Sequence, residues 1–271
     1  MLSLETLTVE INGLPAALSG TKLVQMSDFH YDGDRLPTKL LARAIGLANE
    51  AEPDLVLLTG DFVTYEPDPI HELVKHLKHL QSRAGIYTVL GNHDMYYPET
   101  KPEVMAALNK IGIKVLWNEV AYPLGYELAL VGMPDFWSRE FNPALVMDKL
   151  ATELPRIVLS HQPDSAQVMR KWRVDLQLSG HTHGGQIWLP KIGPLPAWLD
   201  PLRRIIPKPL HPFVPYLKRR CHRVVKHWEW AQGFHQVGEN YLYVNRGLGT
   251  YWPGRLFCPP EVTVITLVQR H

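Results

Sequence analysis

The sequence predicts an α/β fold, on three observations. Short apolar, β-branched runs recur along the chain, amphipathic helical patterns lie between several of them, and polar clusters follow directly on the runs. The runs are Lys22–Met26, Asp54–Thr59, Ile86–Leu90, Ile113–Trp117, Glu127–Val131, Arg156–Leu159, Asp175–Leu178, Tyr241–Val244 and Glu261–Leu267. Stretches of this kind, apolar without polar alternation, are expected as strands buried on both faces. Thr38–Ala51 reads as a helix, with Thr38 as its N-cap and Leu40, Leu41, Ala44, Ile45 and Ala48 on one stripe. Ile70–Leu80 and Pro102–Ile111 read the same way. Strand and helix in alternation define the class.

Composition narrows the field. The chain has 271 residues, 45% hydrophobic and 20% charged, which suits a globular protein with a sizeable core, expected here as one domain over 1–271. Net charge is +1, so no global charge recruits nucleic acid or membrane. Two cysteines, Cys221 and Cys258, make no disulfide framework and are expected as inert thiols. No apolar stretch reaches the roughly 18 residues of a membrane span. The first ten residues carry acids and no base, so no signal peptide is expected and the predicted location is cytoplasmic.

The polar clusters are SDFH (Ser27–His30), GD (Gly60–Asp61), GNHD (Gly91–Asp94), SHQPD (Ser160–Asp164) and GHTHGG (Gly180–Gly185). Loops at the carboxyl ends of strands in an α/β sheet converge on a common crevice, so these clusters predict one site. They supply Asp28, His30, Asp61, Asn92, His93, His161, His181 and His183. Oxygen and imidazole donors without thiolate suit Mn, Fe, Co, Ni or Zn. Asp28-x-His30 and His181-x-His183, if extended, turn both members of each pair to the same metal. Seven or eight ligands imply two ions, and two ions need a bridging carboxylate, for which Asp61 is the candidate. Taken singly, each motif is commonplace: Gly-Asp and Gly-Asn-His-Asp are ordinary turn sequences, and a lone histidine is usually a satisfied polar group. Their conjunction is not, since five of the chain's thirteen histidines fall in these loops.

This order of motifs resembles the calcineurin-like metallophosphoesterases. GHTHGGQ (Gly180–Gln186), with NRGLGT (Asn245–Thr250) and CPPEVTVITL (Cys258–Leu267), is most similar to a bacterial subgroup with phosphodiesterase-type activity. That subgroup includes cell-envelope members and members that cleave the pyrophosphate of a diacylated UDP-glucosamine lipid precursor. The resemblance runs from Gly20 to Leu267, apart from a stretch after Gln186. It implies a two-sheet β-sandwich flanked by helices. It also implies one divalent ion held by Asp28, His30, Asp61 and His183, and a second held by Asp61, Asn92, His161 and His181. The reaction implied is hydrolysis of a phosphodiester or pyrophosphate bond, with His93 expected to protonate the leaving oxygen or stabilise the transition state, and Asp94 either to orient His93 or to serve only as a turn residue. Arg246 and Arg255 are candidates to contact substrate phosphate, with surface salt bridging the commoner role for either one alone.

Residues 187–235 break the pattern. They hold eight of the 23 prolines together with Trp188, Trp198, Trp228 and Trp230. Between Pro201 and Trp228 lie eight Lys or Arg and no acid, so the remainder of the chain is net acidic. Aromatics among cations fit a flap on an anionic membrane surface or an amphiphilic lipid substrate. The prolines argue against one long helix there and for short turns with apolar tips. The same composition also suits an irregular loop packed on the domain, or a nucleic-acid contact. The corresponding rivals for the whole chain are a nuclease, a non-catalytic metal-stabilised interaction domain and a two-metal amide hydrolase. An intact His93 opposes the second and the motif order opposes the third.

Overall fold

A computed structural model describes residues 1–213 and 224–270. Two six-stranded sheets carry the architecture. The first runs in the order β1 (Ser3–Ile11), β14 (Glu261–Gln269), β2 (Lys22–Met26), β3 (Leu55–Leu58), β4 (Ile86–Thr88), β5 (Ile113–Val115). The second runs β12 (Gly233–Val237), β13 (Asn240–Val244), β9 (Leu176–Ser179), β8 (Arg156–Leu159), β7 (Ala129–Gly132), β6 (Glu119–Ala121). β2 to β5 are parallel to one another, as are β7, β8, β9 and β13, so the carboxyl ends of the site-bearing strands share one edge of each sheet.

The lack of alternation in the strands has a direct cause. Along β3, Leu55 and Leu57 face the other sheet, where they join Leu130, Ile157, Leu159, Leu176 and Leu178 in the interior of the sandwich. Val56 and Leu58 face the opposite way, onto α1 (Thr38–Glu50), α2 (Ile70–Leu77) and α3 (Thr100–Lys110), through Leu41, Ala44, Leu73, Val104 and Leu108. The outer face of the second sheet is covered by α4 (Ala144–Met147) and α5 (Ser165–Met169) in the same manner. Every face of these strands is dry, which is the condition for a continuous apolar run.

Several local expectations are corrected. Thr38 is the first helical residue of α1 and Pro37 takes the cap position, with no side-chain capping bond. α2 stops at Leu77 instead of Leu80, and α3 starts two residues before Pro102, which then sits in the first turn where its missing N–H costs nothing. β1 was not expected: its side chains alternate between covered and exposed, so it carries no uninterrupted apolar run. Within the insertion, a hairpin of β10 (Trp188–Leu189) and β11 (Gly193–Pro194) leads into an eleven-residue helix, α6 (Leu195–Ile205), where turns alone were expected. Pro196 falls in its first turn, a tolerated position. Lys218, Arg219, Arg220, Arg223 and Cys221 lie outside the described residues.

Candidate metal and phosphoester site

Five strand-end loops meet where the sheets' carboxyl edges adjoin. The loop after β2 carries Asp28 and His30, that after β3 Asp61, that after β4 Asn92 and His93. The second sheet adds His161 after β8, and His181 and His183 after β9. All but Asn92 and His93 are buried. Close approach of these loops requires glycine beside them. A Cβ on Gly91 would collide with the Asp61 carboxylate, and one on Gly180 would come within 2.9 Å of the Ser27 Cβ and closer still to Asp28.

Three groups of three form: Asp28–His30–His183, Asp61–His161–His181 and, between them, His30–Asp61–His93. In the first, His30 Nε2 lies 3.1 Å from His183 Nε2, and His183 Nε2 lies 3.4 Å from Asp28 Oδ1. In the second, His161 Nε2 is 3.1 Å from Asp61 Oδ2 and 3.2 Å from His181 Nδ1. Asp61 Oδ2 also lies 3.4 Å from His30 Nε2, so this carboxylate stands between the groups. The geometry corrects the expectation of extended D-x-H and H-x-H segments. Asp28, His30, Asp61, His181 and His183 all have positive φ, between 42° and 71°. The left-handed turns divide His181 from His183, one to each group, instead of aiming both at one point. Backbone of this kind costs on the order of 1 kcal/mol or more per residue and persists where the surroundings dictate it.

The outer ring nitrogens test whether a metal fits. His161 Nδ1 donates to the Thr59 carbonyl at 2.6 Å, His183 Nδ1 to that of Gly249 at 3.2 Å, and His181 Nε2 to that of Val224 at 2.9 Å. His30 Nδ1 pairs with the Tyr251 hydroxyl at 2.9 Å. A carbonyl accepts only, so these protons are fixed on the outer nitrogens, and neutral rings turn bare lone pairs toward one another and toward two carboxylates. Lone pairs held at about 3 Å repel unless a proton or a cation lies among them. Tethered outer nitrogens with converging inner ones are the arrangement of histidine metal ligands. Asn92 Oδ1 is likewise buried without a hydrogen-bond partner. The donor set fits divalent ions.

Titration behaviour follows from the crowding. His161 is disfavoured as a cation by burial, yet Asp61, with Asp28 and Asp135 behind it, pushes it up to about 10. For Asp61 burial acts upward, but the charges on His161 and His93 outweigh it and hold the carboxyl well below its usual range. Burial lowers His181 to about 3, with the His161 charge adding to the effect, and burial together with His30 drives His183 down. In effect one proton shared by Asp61 and His161 occupies ground a metal would take.

His93, grouped with His30 and Asp61, is tethered in its turn. Its backbone N–H donates to Asp61 Oδ1 at 2.9 Å, its Nδ1 donates to the Thr64 carbonyl, and its ring meets that of His30 edge-on at 4.7 Å. Nε2 is thereby left to the cleft, and burial lowers the ring's pKa. The cleft, about 360 Å³, runs past Asp61, Asn92, His93, His181 and His183 between Tyr65, Trp137, Trp228, Pro196 and Tyr251.

Three candidate residues are engaged away from the cleft. Asp94 does not reach the His93 ring, because its carboxylate accepts four backbone N–H groups: those of Asp61 at 2.8 Å, Phe62 at 2.7 Å, Val63 at 3.2 Å and Gly91 at 2.9 Å. Burial and Asp61 push Asp94 up to about 7 while these amides pull it down. Arg246 is engaged by two carboxylates, Glu5 and Glu261, beside a different cavity. Arg255 is turned inward, donating to the carbonyls of Arg246 at 2.7 Å and Gly249 at 2.6 Å, so it braces the glycine-rich turn. Sequence reasoning also missed two residues. Tyr251 follows immediately on NRGLGT. Asp135, buried and pushed up to about 6 by its burial, closes a sixth strand-end loop after β7.

A fold of two sheets with such a site defines a metal-assisted hydrolase of phosphoric esters, and the chain belongs to the calcineurin-like phosphoesterases, whose family model matches residues 21–185. Among its relatives, Phosphodiesterase YaeI of Escherichia coli is 33% identical, over 91% of this chain and 82% of that protein. An uncharacterized metallophosphoesterase of Bacillus subtilis, YkuE, is 31% identical over 96% of this chain and 83% of that protein. UDP-2,3-diacylglucosamine pyrophosphatase LpxG of Chlamydia muridarum is 26% identical over 92% and 84%. One solved crystal structure, 11% identical, shares the fold with a TM-score of 0.51 over 83% of this chain and 90% of that one.

Proposed function

We propose that the chain is a two-metal phosphoesterase that cuts a phosphodiester or pyrophosphate bond in an amphiphilic substrate, a phospholipid or a nucleotide-linked lipid precursor. The observation that carries the reading is the tethering of four imidazoles by their outer nitrogens, leaving the inner ones to converge with Asp28 and Asp61. Asp28, His30, Asp61 and His183 would hold one ion, and Asp61, Asn92, His161 and His181 the other, with Mn, Fe, Zn, Co and Ni all compatible. The chemistry such a pair supplies when bound is Lewis acidity toward phosphoryl oxygens and toward water.

The chain's own residues complete the reaction. The carbonyls of Thr59, Val224 and Gly249 keep the rings of His161, His181 and His183 in their tautomers, and the Tyr251 hydroxyl holds the His30 ring in place. His93, its Nδ1–H fixed by the Thr64 carbonyl, turns Nε2 to the departing oxygen; Nε2 carries a proton only in the imidazolium, the form burial disfavours, and that form gives the proton up readily. Trp137, Trp228, Pro196 and Val224 wall the cleft with apolar surface, which lowers the local dielectric and suits an acyl or other apolar group.

An amphiphilic substrate is further supported by large apolar side chains left in solvent around the insertion and the C-terminal loop: Ile192, Trp198, Phe213, Trp252 and Phe257 are 49–82% exposed. Together with the basic stretch after Pro201 they suit contact with an anionic membrane surface. Among the described residues no helix is long and apolar enough to cross a membrane.

The test is metal analysis of Mn-reconstituted protein joined to an activity panel of an aryl phosphodiester, nucleic acid and nucleotide-linked lipids, with and without detergent. Two ions per chain, turnover of the lipid substrates and loss of both metal and turnover in Asp61→Ala are expected. Full activity in Asp61→Ala overturns the reading, and preference for nucleic acid overturns the substrate class.

A further inference from the structure

Strand β2 reads Lys-Leu-Val-Gln-Met, and its glutamine stands where the neighbouring strands place leucine. Val24 and Met26 face the helices, whereas Leu23 faces the second sheet. Gln25 shares the Leu23 side of the strand and is fully buried there. Its Nε2 donates two hydrogen bonds, to Thr59 Oγ1 at 3.0 Å and to the Ser179 carbonyl at 2.9 Å. Thr59 follows β3 of the same sheet, and Ser179 ends β9 of the opposite one. One side-chain amide therefore ties the two halves of the sandwich together.

Both acceptors adjoin the group Asp61–His161–His181. Thr59 stands two residues before Asp61, and Ser179 two before His181. The remaining member, His161, donates to the Thr59 carbonyl. The Ser179 carbonyl also accepts the Asn245 N–H at 2.9 Å, and Asn245 Nδ2 donates to Thr263 Oγ1 at 2.8 Å on β14, the other neighbour of β2. Stability does not explain a glutamine here. Its Oε1 is buried with no hydrogen-bond partner among the described residues. An unpaired buried acceptor costs free energy that an apolar side chain of similar shape would not. Fixing the register of the elements they join is the best-attested use of such buried polar groups.

We propose that Gln25 is a positioning residue that locks the ends of β3 and β9 to each other beneath the site, setting the spacing of Asp61, His161 and His181 and with it the affinity for one of the two ions. This rests on the two-metal reading above. Gln25 lines no part of the cleft and acts only through Thr59 and Ser179. The group Asp28–His30–His183 has no such link to it, so the other ion should be held independently.

The test is Mn²⁺ titration of metal-free full-length protein, with bound ions read by electron paramagnetic resonance and thermal unfolding followed in parallel. Wild type is expected to bind two ions and to give the spectrum of an exchange-coupled pair. Gln25→Met keeps length and volume without the donor. It should raise one dissociation constant roughly 10–100-fold, as for other residues that orient ligands, while the second changes less than about 3-fold. At Mn²⁺ concentrations that fill both wild-type sites, the coupled spectrum should give way to that of isolated ions, with Tm at or above wild type. Leu23→Ala, on the same strand face, is the control: it should lower Tm and leave both constants and the spectrum unchanged. Thr59→Val removes one of the two acceptors and should weaken the same ion by less; it carries the comparison if circular dichroism shows Gln25→Met misfolded. Unchanged constants, equal weakening of both ions, or the same loss in Leu23→Ala overturns the proposal while leaving the two-metal reading standing. A wild type that binds fewer than two ions overturns both.

Discussion

Replacing Asp94 by Asn is the sharpest test of how the site is held. Each carboxylate oxygen of Asp94 accepts two backbone N–H groups, Oδ2 from Asp61 and Gly91, Oδ1 from Phe62 and Val63. Asparagine keeps the shape but has one acceptor, so two amides lose a charged partner and face an NH₂ group in a fully buried place. At about 1.5–3 kcal/mol per bond to a charged group the loss is about 3–6 kcal/mol. The lower end applies, because burial already opposes the wild-type charge. About 3 kcal/mol is a large part of a typical folding free energy and corresponds to roughly 6–12 °C in Tm for a chain of this size. The amide of Asp61 is among the four, so metal affinity should fall as well. Urea unfolding and metal analysis on the same samples are the assay. A variant within about 1 kcal/mol of wild type and with full metal content would refute the argument that Asp94 builds the loop.

His93→Ala should lower kcat roughly 10²–10⁴-fold with metal content unchanged, as expected when a proton donor is lost; metal loss in that variant would reassign His93 to the ligands. Binding of Mn²⁺ should expel a proton from His161. Its pKa is raised to about 10, so the His161–Asp61 pair contributes fully below the ordinary histidine value of about 6.5 and is lost as pH rises through about 10. Metal affinity should therefore climb across that window and the stability of metal-free protein should decline. Calorimetry in buffers of different ionisation enthalpy measures the released proton, and a count of zero would contradict the pairing.

What was legible in the sequence was what burial writes into it. The central strands are apolar on both faces because sheet, helix and opposing sheet cover them, and their ends are marked by polar clusters with glycines where loops nearly touch. Edge strands such as β1 and β12, half exposed, leave only a diluted signal. The turn-by-turn aim of the ligands was not legible, since left-handed φ at His181 and His183 depends on packing against Asp28, Gly249 and Val224 from distant parts of the chain. The partners of Arg246 and Arg255 were not legible for a similar reason: a basic residue in a glycine-rich segment looks the same whether it faces a ligand, a carboxylate or a carbonyl.

The carbonyl of Thr59 belongs to the first sheet and the ring it steadies, His161, to the second; Asp28, from the first, receives the amide of His181, from the second, at 3.0 Å. Each half of the sandwich thus supplies donors that the other half aligns. A fragment carrying only the first sheet would bring four of the seven side chains without their guides, and the remaining fragment the other three. The candidate site is a clasp whose hook and eye are made in separate stretches of polypeptide, so it exists only where the two sheets have closed on one another.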